Sequence, residues 1–242
     1  MIRKFFSAVH EGGSRVGNKR NHEIQRIETF SDGVFAFAVT LLIVSLEVPK
    51  SFDELVTTMR GFFAFGISFL ILVMIWNEQH RFFRNYGLED AWTLTLNGTL
   101  LFLVLFYVYP LKFLFSLMFG DQIYGADHSP FTINRHQVPS LMMIYSIGFM
   151  AIYTLFFLMY LHAFQNYKKL GLTPLEKFDC KSGMYRLMIM VLAGLGSLIT
   201  ALLLKDEIAG VAGYVYFSIG PAIWLLFSIR NKNRNKLFPA AV

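Results

Sequence analysis

Charged residues are scarce in this sequence. Asp, Glu, Lys and Arg make up 16% of the 242 residues, whereas a soluble domain carries about 25%, and apolar residues make up 55%. This composition excludes an ordinary soluble domain and predicts an integral membrane protein. The net charge of +6 would suit a nucleic-acid binder if the protein were soluble. In a membrane protein it indicates basic loops on the cytoplasmic side, so no nucleic-acid partner is expected.

Cysteine and catalytic signatures are also missing or nearly so. Because Cys180 is the only cysteine, an internal disulfide is excluded. No H-E-x-x-H, G-x-S-x-G or paired-cysteine motif is present, so neither an enzyme nor a bound cofactor is predicted. His128 and His136 share a loop with Asp121 and Asp127, but the spacing is too loose for a metal site. The N-terminal region lacks the apolar core of a signal peptide.

Long apolar runs occupy most of the chain and predict six membrane-spanning helices, because about 20 apolar residues cross a bilayer. The predicted fold class is therefore an all-α integral membrane protein. The predicted spans are 28–48, 55–79, 91–118, 139–166, 182–204 and 208–229. They divide the chain into a basic N-terminal arm at 1–25, a six-helix transmembrane domain at 26–230 and a basic tail at 231–242.

Lys and Arg are distributed unequally between the two sides of these spans. Seventeen lie on the side that holds both termini and five on the other side. Basic residues favour the cytoplasmic side of a membrane protein. We therefore expect a multi-pass protein of the cell inner membrane or plasma membrane with both termini in the cytoplasm.

The first span begins with polar residues that are unusual in a membrane helix. Arg26, Ser31 and Asp32 lie at its predicted cytoplasmic mouth, where buried polar groups are costly and need partners or a function. Trp76 and His80, at the end of the second span, lie at the same depth. The five side chains could form a network that only locks the helices together, or one that acts in conduction or gating. His80 would add a pH-sensing group.

The middle of the first span carries a single polar side chain, Thr40. At helical spacing Phe37, Thr40 and Val44 share one face, with Leu41 close by. This face could line an ion pathway. The alternative is that Thr40 only bonds its own helix backbone, as a lone threonine in a membrane helix commonly does.

The motif R-x-x-x-F-S-D, formed by Arg26, Phe30, Ser31 and Asp32, resembles the signature of the transmembrane protein 175 family. This family comprises the lysosomal potassium channels and their bacterial relatives. Trp76 at the end of the second span, followed by His80, supports the resemblance. The six-span length resembles the bacterial form, which has one six-helix unit per chain.

The resemblance implies a potassium-selective leak channel, ungated by voltage, in which four copies of the chain place their first helices around the pore. The family's constrictions then correspond to Phe37, Thr40 and Val44; Phe37 departs from the Ile or Leu that usually forms the narrowest ring. The T-V-G-Y-G potassium filter is absent, so side chains must set the selectivity. The implied partners are other copies of the chain and membrane lipids, with potassium in transit near Thr40 and no fixed metal ion.

Other functions stay open on the residues alone. A secondary transporter would need broken helices and polar groups near the membrane centre, for which the third span offers Asn97, Gly98 and Pro110. A membrane enzyme would have to use His80 and Asp32. A proton-leak channel is a variant of the potassium channel that differs in the permeant ion.

Overall fold

The computed structural model describes residues 26–44, 50–124, 133–204 and 209–238, and within these ranges all regular structure is helical. Two 3₁₀ segments, Arg135–Gln137 and Ala209–Ser218, precede the fourth and the sixth α-helices. The α-helices are α1 (Arg26–Val44), α2 (Phe52–Tyr86), α3 (Ala91–Tyr124), α4 (Val138–Gln165), α5 (Pro174–Leu203) and α6 (Ile219–Leu237). The all-α prediction is confirmed for the described residues.

Five helical stretches of the described chain are long and apolar enough to cross a membrane. They are Phe62–Tyr86, Ala91–Phe119, Val138–Gln165, Pro174–Leu203 and Gly210–Leu237. The polar start of α1, with Arg26, Glu28 and Asp32, is not among them. Residues 45–48 of the predicted first span, the arm at 1–25 and the last tail residues at 239–242 lie outside the described residues. The structure therefore supports a multi-span membrane protein, and the sixth span stays a prediction.

Several helices extend beyond the apolar runs that predicted them. α2 continues past residue 79 to Tyr86, because its last turns bury Phe82 and Phe83 in the core. α5 begins at Pro174 and not at 182, because Thr173 caps it: the Glu176 amide donates to Thr173 Oγ1 at 3.2 Å, and the Thr173 amide donates to the Glu176 carboxylate at 2.8 Å. The predicted basic link at 167–181 is thus partly helical.

The core runs through the bundle from α1, past α2, α3 and α4, to α5. Its fully buried side chains include Phe82 and Phe83 of α2, Phe156 and Met159 of α4, and Leu187 of α5. α4 and α5 make the most extensive helix pair. Among the described residues of α6 none is buried, so this helix lies at the periphery.

Tyrosines join α3 closely to α4. The Tyr107 hydroxyl donates to the carbonyl of Tyr145 at 2.6 Å, and the Tyr145 hydroxyl donates to the carbonyl of Pro110. A Cβ added to Gly148 would lie 2.0 Å from the ring of Tyr107, so this approach requires glycine. The two helices are therefore held by hydrogen bonds in both directions across a small-residue contact.

Asp90 caps the N-terminus of α3 and also bonds a residue near the end of α4. Asp90 Oδ1 accepts from the Thr93 amide at 3.1 Å, as an N-cap residue does. Its Oδ2 lies 2.5 Å from Nε2 of His162. Burial acts to raise the pKa of Asp90, but the hydrogen bonds from Thr93 and His162 outweigh it and hold that pKa below its ordinary value. The carboxylate is therefore ionised at neutral pH.

Candidate functional site

α1 packs one face against its own chain and leaves the opposite face uncovered. The packed face consists of residues at helical spacing, namely Ser31, Phe35, Ala38 and Leu42. The uncovered face consists of Asp32, Gly33, Ala36, Phe37, Thr40 and Ile43. Phe37 is 55% exposed and Ile43 49%, so large apolar side chains remain open on a helix that is otherwise firmly packed.

The side chains predicted to form the constriction divide between these faces. Phe37 and Thr40 lie on the uncovered face, whereas Leu41 is half-buried and packs against the core. The Val44 side chain lies outside the described ones. Thr40 Oγ1 donates to the Ala36 carbonyl at 2.9 Å. Because a hydroxyl also has two acceptor lone pairs, this backbone bond leaves Thr40 able to coordinate a cation.

Asp32 ties α1 to α2 through Trp76. Trp76 Nε1 donates to Asp32 Oδ1 at 2.7 Å, a hydrogen bond strengthened by the charge of the carboxylate. The His80 ring stacks on the Trp76 ring, with centroids 5.5 Å apart and planes 20° apart. These contacts hold the indole against α1. A crevice of about 390 Å³ opens beside them between α1 and α2, with a mostly apolar lining.

Ser31 connects α1 to α3 through a second branch of hydrogen bonds, which the sequence did not predict. Ser31 Oγ accepts from Asn97 Nδ2 at 3.0 Å and donates to the Ile27 carbonyl at 2.7 Å. Asn97 Oδ1 accepts from Gln79 Nε2 of α2 at 3.1 Å. Ser31, Asn97 and Gln79 are all buried, so the branch satisfies polar groups that would otherwise be costly. The signal for this branch in the sequence was Asn97, a side-chain amide in the middle of an apolar span.

Two other residues of the motif, Arg26 and Phe30, are not part of this network. Both are exposed, Phe30 to 65%. Arg26 makes no ion pair within the part of the chain that the structure describes. They lie on the side of α1 that turns away from α2 and α3, where solvent, lipid headgroups or another copy can reach them.

A buried ion pair between α2 and α5 lies next to this network, and the sequence did not predict it either. Arg186 Nη2 of α5 donates to Glu78 Oε1 of α2 at 2.6 Å, and the Tyr160 hydroxyl of α4 donates to the same oxygen at 3.0 Å. The Glu78 side chain is only 8% exposed. Since Glu78 directly precedes Gln79, the end of α2 takes part in both polar clusters.

Known proteins resemble this chain in sequence and in fold. The family model of the endosomal/lysosomal potassium channel TMEM175 matches residues 26–107, which include the motif, Trp76, His80 and Asn97. A protein of Marivirga tractuosa named "Potassium channel" is 38% identical over 231 residues, covering 90% of this chain and 92% of its own. A potassium channel of Chamaesiphon minutus is 34% identical over 108 residues, covering 41% of this chain and 53% of its own.

Two solved structures share the fold. The crystal structure of a variant of the potassium channel MtTMEM175, bound to a nanobody fusion, superimposes with a TM-score of 0.80 at 34% identity and covers 90% of this chain and 98% of its own. A TMEM175 homologue from Chamaesiphon minutus gives a TM-score of 0.52 at 23% identity, covering 85% and 96%, and shows the fold alone. The resemblance inferred from R-x-x-x-F-S-D is thus confirmed, and the chain belongs to the TMEM175 family.

Proposed function

We propose that the chain forms a potassium channel in which the first helices of several copies surround the pore. The observation that carries this proposal is the uncovered face of α1, where Phe37 and Thr40 are exposed although the opposite face is firmly packed. One helix cannot enclose a path for ions, so this face needs the same face of other copies. The relatives named potassium channels support the choice of ion.

Conduction through such a pore depends on an apolar ring and an adjacent ring of hydroxyls. The Phe37 side chains form the apolar ring, where a narrow pore expels water and an ion crosses only if the ring widens or rotates away. Thr40 lies about one turn further along and supplies oxygen atoms to a partly dehydrated potassium ion. Without a T-V-G-Y-G filter, these side chains set the selectivity.

The polar network fixes the orientation of α1 and does not contact the ion. Asp32 holds α1 against Trp76, and Ser31 holds it against Asn97. Together the two bonds define the rotation of α1 about its own axis. This rotation decides whether Phe37 and Thr40 point toward the pore axis.

For the assembly we propose four copies, each crossing the membrane six times, in the cell inner membrane or plasma membrane with both termini in the cytoplasm. The unequal distribution of Lys and Arg supports this orientation. The number four comes from the resemblance to the bacterial channels. A purified particle should have about four times the 27.8 kDa mass of the chain, and a monomeric mass in mild detergent would contradict the proposal.

The test of the pore face is ion flux through the purified protein in liposomes. We expect potassium to pass in preference to sodium, Phe37→Ala to raise the flux several-fold because it removes the apolar ring, and Thr40→Ala to change the potassium-to-sodium ratio. The matched controls are Phe102→Ala, whose ring is 66% exposed on α3, and Thr99→Ala, whose hydroxyl donates to its own helix at 2.9 Å as Thr40 does. Neither control should alter the flux.

Two results would show the assignment to be wrong. If each control changes the flux as much as its partner variant, the pore is lined by another face. If the reversal potential follows an imposed proton gradient and not the potassium gradient, the permeant ion is the proton.

A further inference from the structure

Basic residues concentrate where α5 begins and α6 ends. Residues 166–185 and 227–238 contain eight Lys and Arg but only two acids. Both acids are already engaged within the protein: Glu176 takes part in the cap of α5, and Asp179 lies 3.5 Å from Arg234 in an ion pair. This corner of the molecule therefore carries a positive charge that the chain itself does not balance.

Arg230 is held in place there by neutral partners. Its Nε donates to Ser182 Oγ at 2.9 Å, and its Nη2 donates to the Phe178 carbonyl at 3.0 Å. Its guanidinium carbon lies 3.7 Å from the centroid of the Phe178 ring. Among the described residues no carboxylate lies within ion-pair distance of Arg230. Since guanidinium has five N–H donors, a cation that is fixed in place and outside any ion pair within the described residues remains able to bind an anion.

Lys181 and Arg230 both lie beside the ring of Tyr185. Lys181 Nζ lies 5.9 Å and the guanidinium carbon of Arg230 lies 5.4 Å from the centroid of the Tyr185 ring. Tyr185 is 39% exposed and Lys181 is exposed. Two cations from neighbouring helices thus flank one accessible tyrosine. A phosphate group placed there could accept hydrogen bonds from both cations.

An apolar stripe continues from this point along the outer face of α5. With Lys181 and Tyr185 at its head, the stripe follows helical spacing through Met188, Leu192, Leu195 and Ile199, which are 39–57% exposed. Cations at one end and exposed apolar side chains along the membrane-spanning part fit a ligand with an anionic head and hydrocarbon tails.

We propose that Lys181, Tyr185 and Arg230 bind the phosphate of an anionic phospholipid whose acyl chains lie along this stripe of α5. Charge complementarity selects this occupant. A second copy of the chain carries a net charge of +6 and is a poor source of anionic groups, whereas anionic headgroups attract basic residues at a membrane surface. The site lies outside the α1 network and does not depend on the proposed channel activity.

The experiment is native mass spectrometry of the purified full chain with increasing amounts of phosphatidylglycerol or phosphatidylcholine. We expect the chain to bind phosphatidylglycerol in preference. Lys181→Gln should weaken that binding about fivefold, the loss expected for one basic residue near an anionic headgroup. Lys181 is exposed, so this variant keeps the fold even if Arg230→Gln does not. Lys181→Arg should restore binding, and Lys232→Gln, an exposed lysine on α6, is the matched control that should leave it unchanged.

Three results would overturn the proposal. One is equal binding of phosphatidylcholine and phosphatidylglycerol. Another is an equal loss from Lys181→Gln and Lys232→Gln, which would show only diffuse charge attraction. The third is displacement of the lipid by inorganic phosphate at the same concentration, which would show an anion site that does not use the acyl chains.

Discussion

Two adjacent residues at the end of α2, Glu78 and Gln79, connect the motif of α1 with the rest of the helix bundle. Gln79 reaches Ser31 through Asn97, and Glu78 bonds Arg186 of α5. Because α2 is a continuous helix through both positions, the contacts that place α5 also place the residues that hold α1.

Removing Arg186 should be costly, because it leaves a charged Glu78 buried without its cation. For Arg186→Met we expect a loss of about 3–5 kcal/mol in the free energy of unfolding, the range for breaking a buried ion pair from one side. The double variant Glu78→Gln/Arg186→Met should recover most of this loss, since the neutral amide still accepts from the Tyr160 hydroxyl. Thermal unfolding in detergent, followed by circular dichroism, measures both.

The control for this pair is Arg84→Met, which removes an exposed cation from the last turn of the same helix. It should leave the Tm nearly unchanged. A double variant less stable than Arg186→Met alone would contradict the idea that the unpaired charge causes the loss.

At the scale of helices, the contact between α3 and α4 depends on a residue without a side chain. Gly148→Ala should destabilise the protein by about 1–3 kcal/mol, as overpacking of a close contact does, because the Tyr107 ring must move and its bond to Tyr145 must break. Gly98→Ala on α3 is the matched control, since nothing lies within 4 Å of its added Cβ. That change should be neutral or stabilise the helix by about 0.5–1 kcal/mol.

The difference in Tm between these two alanine variants is the quantity to measure. Tyr107→Phe separates the hydrogen bond from the steric contact, because it removes only the hydroxyl. If Gly148→Ala and Gly98→Ala shift the Tm equally, the close approach of α3 and α4 does not limit stability.

At the scale of the whole molecule, the side of the membrane on which each loop lies can be tested with single cysteines. The native Cys180 is fully buried, so the unmodified chain should react little with a membrane-impermeant maleimide. We expect His136→Cys, which precedes α4, to be labelled on intact cells. Lys169→Cys, which follows α4, should be labelled only after permeabilisation. Both side chains are exposed, and the reverse pattern would invert the proposed orientation.

Sequence alone predicted the features that depend on local patterns. Long apolar runs gave the helical membrane class, and a seven-residue motif gave the family. Shared membrane depth also suggested that Asp32 lies near Trp76, which the 2.7 Å bond agrees with. The bond between Gln79 and Asn97 and the pair of Glu78 with Arg186 join positions 18 and 108 residues apart, and no spacing rule connects them. The start of α5 was missed because the capping of Thr173, and not hydropathy, determines it.

The 3₁₀ segment Ala209–Ser218 has a consequence for the depth of the last basic residues. A 3₁₀ helix rises about 2.0 Å per residue and an α-helix about 1.5 Å, so the chain from Ala209 to Arg230 extends about 38 Å, where an uninterrupted α-helix would extend about 33 Å. If Ala209 lies at one edge of a hydrocarbon core about 30 Å thick and the axis is upright, Arg230 emerges about 8 Å beyond the other edge. With Ala209 at that edge, the tighter winding of ten residues places the backbone of Arg230 about 5 Å further beyond the hydrocarbon core than an uninterrupted α-helix would.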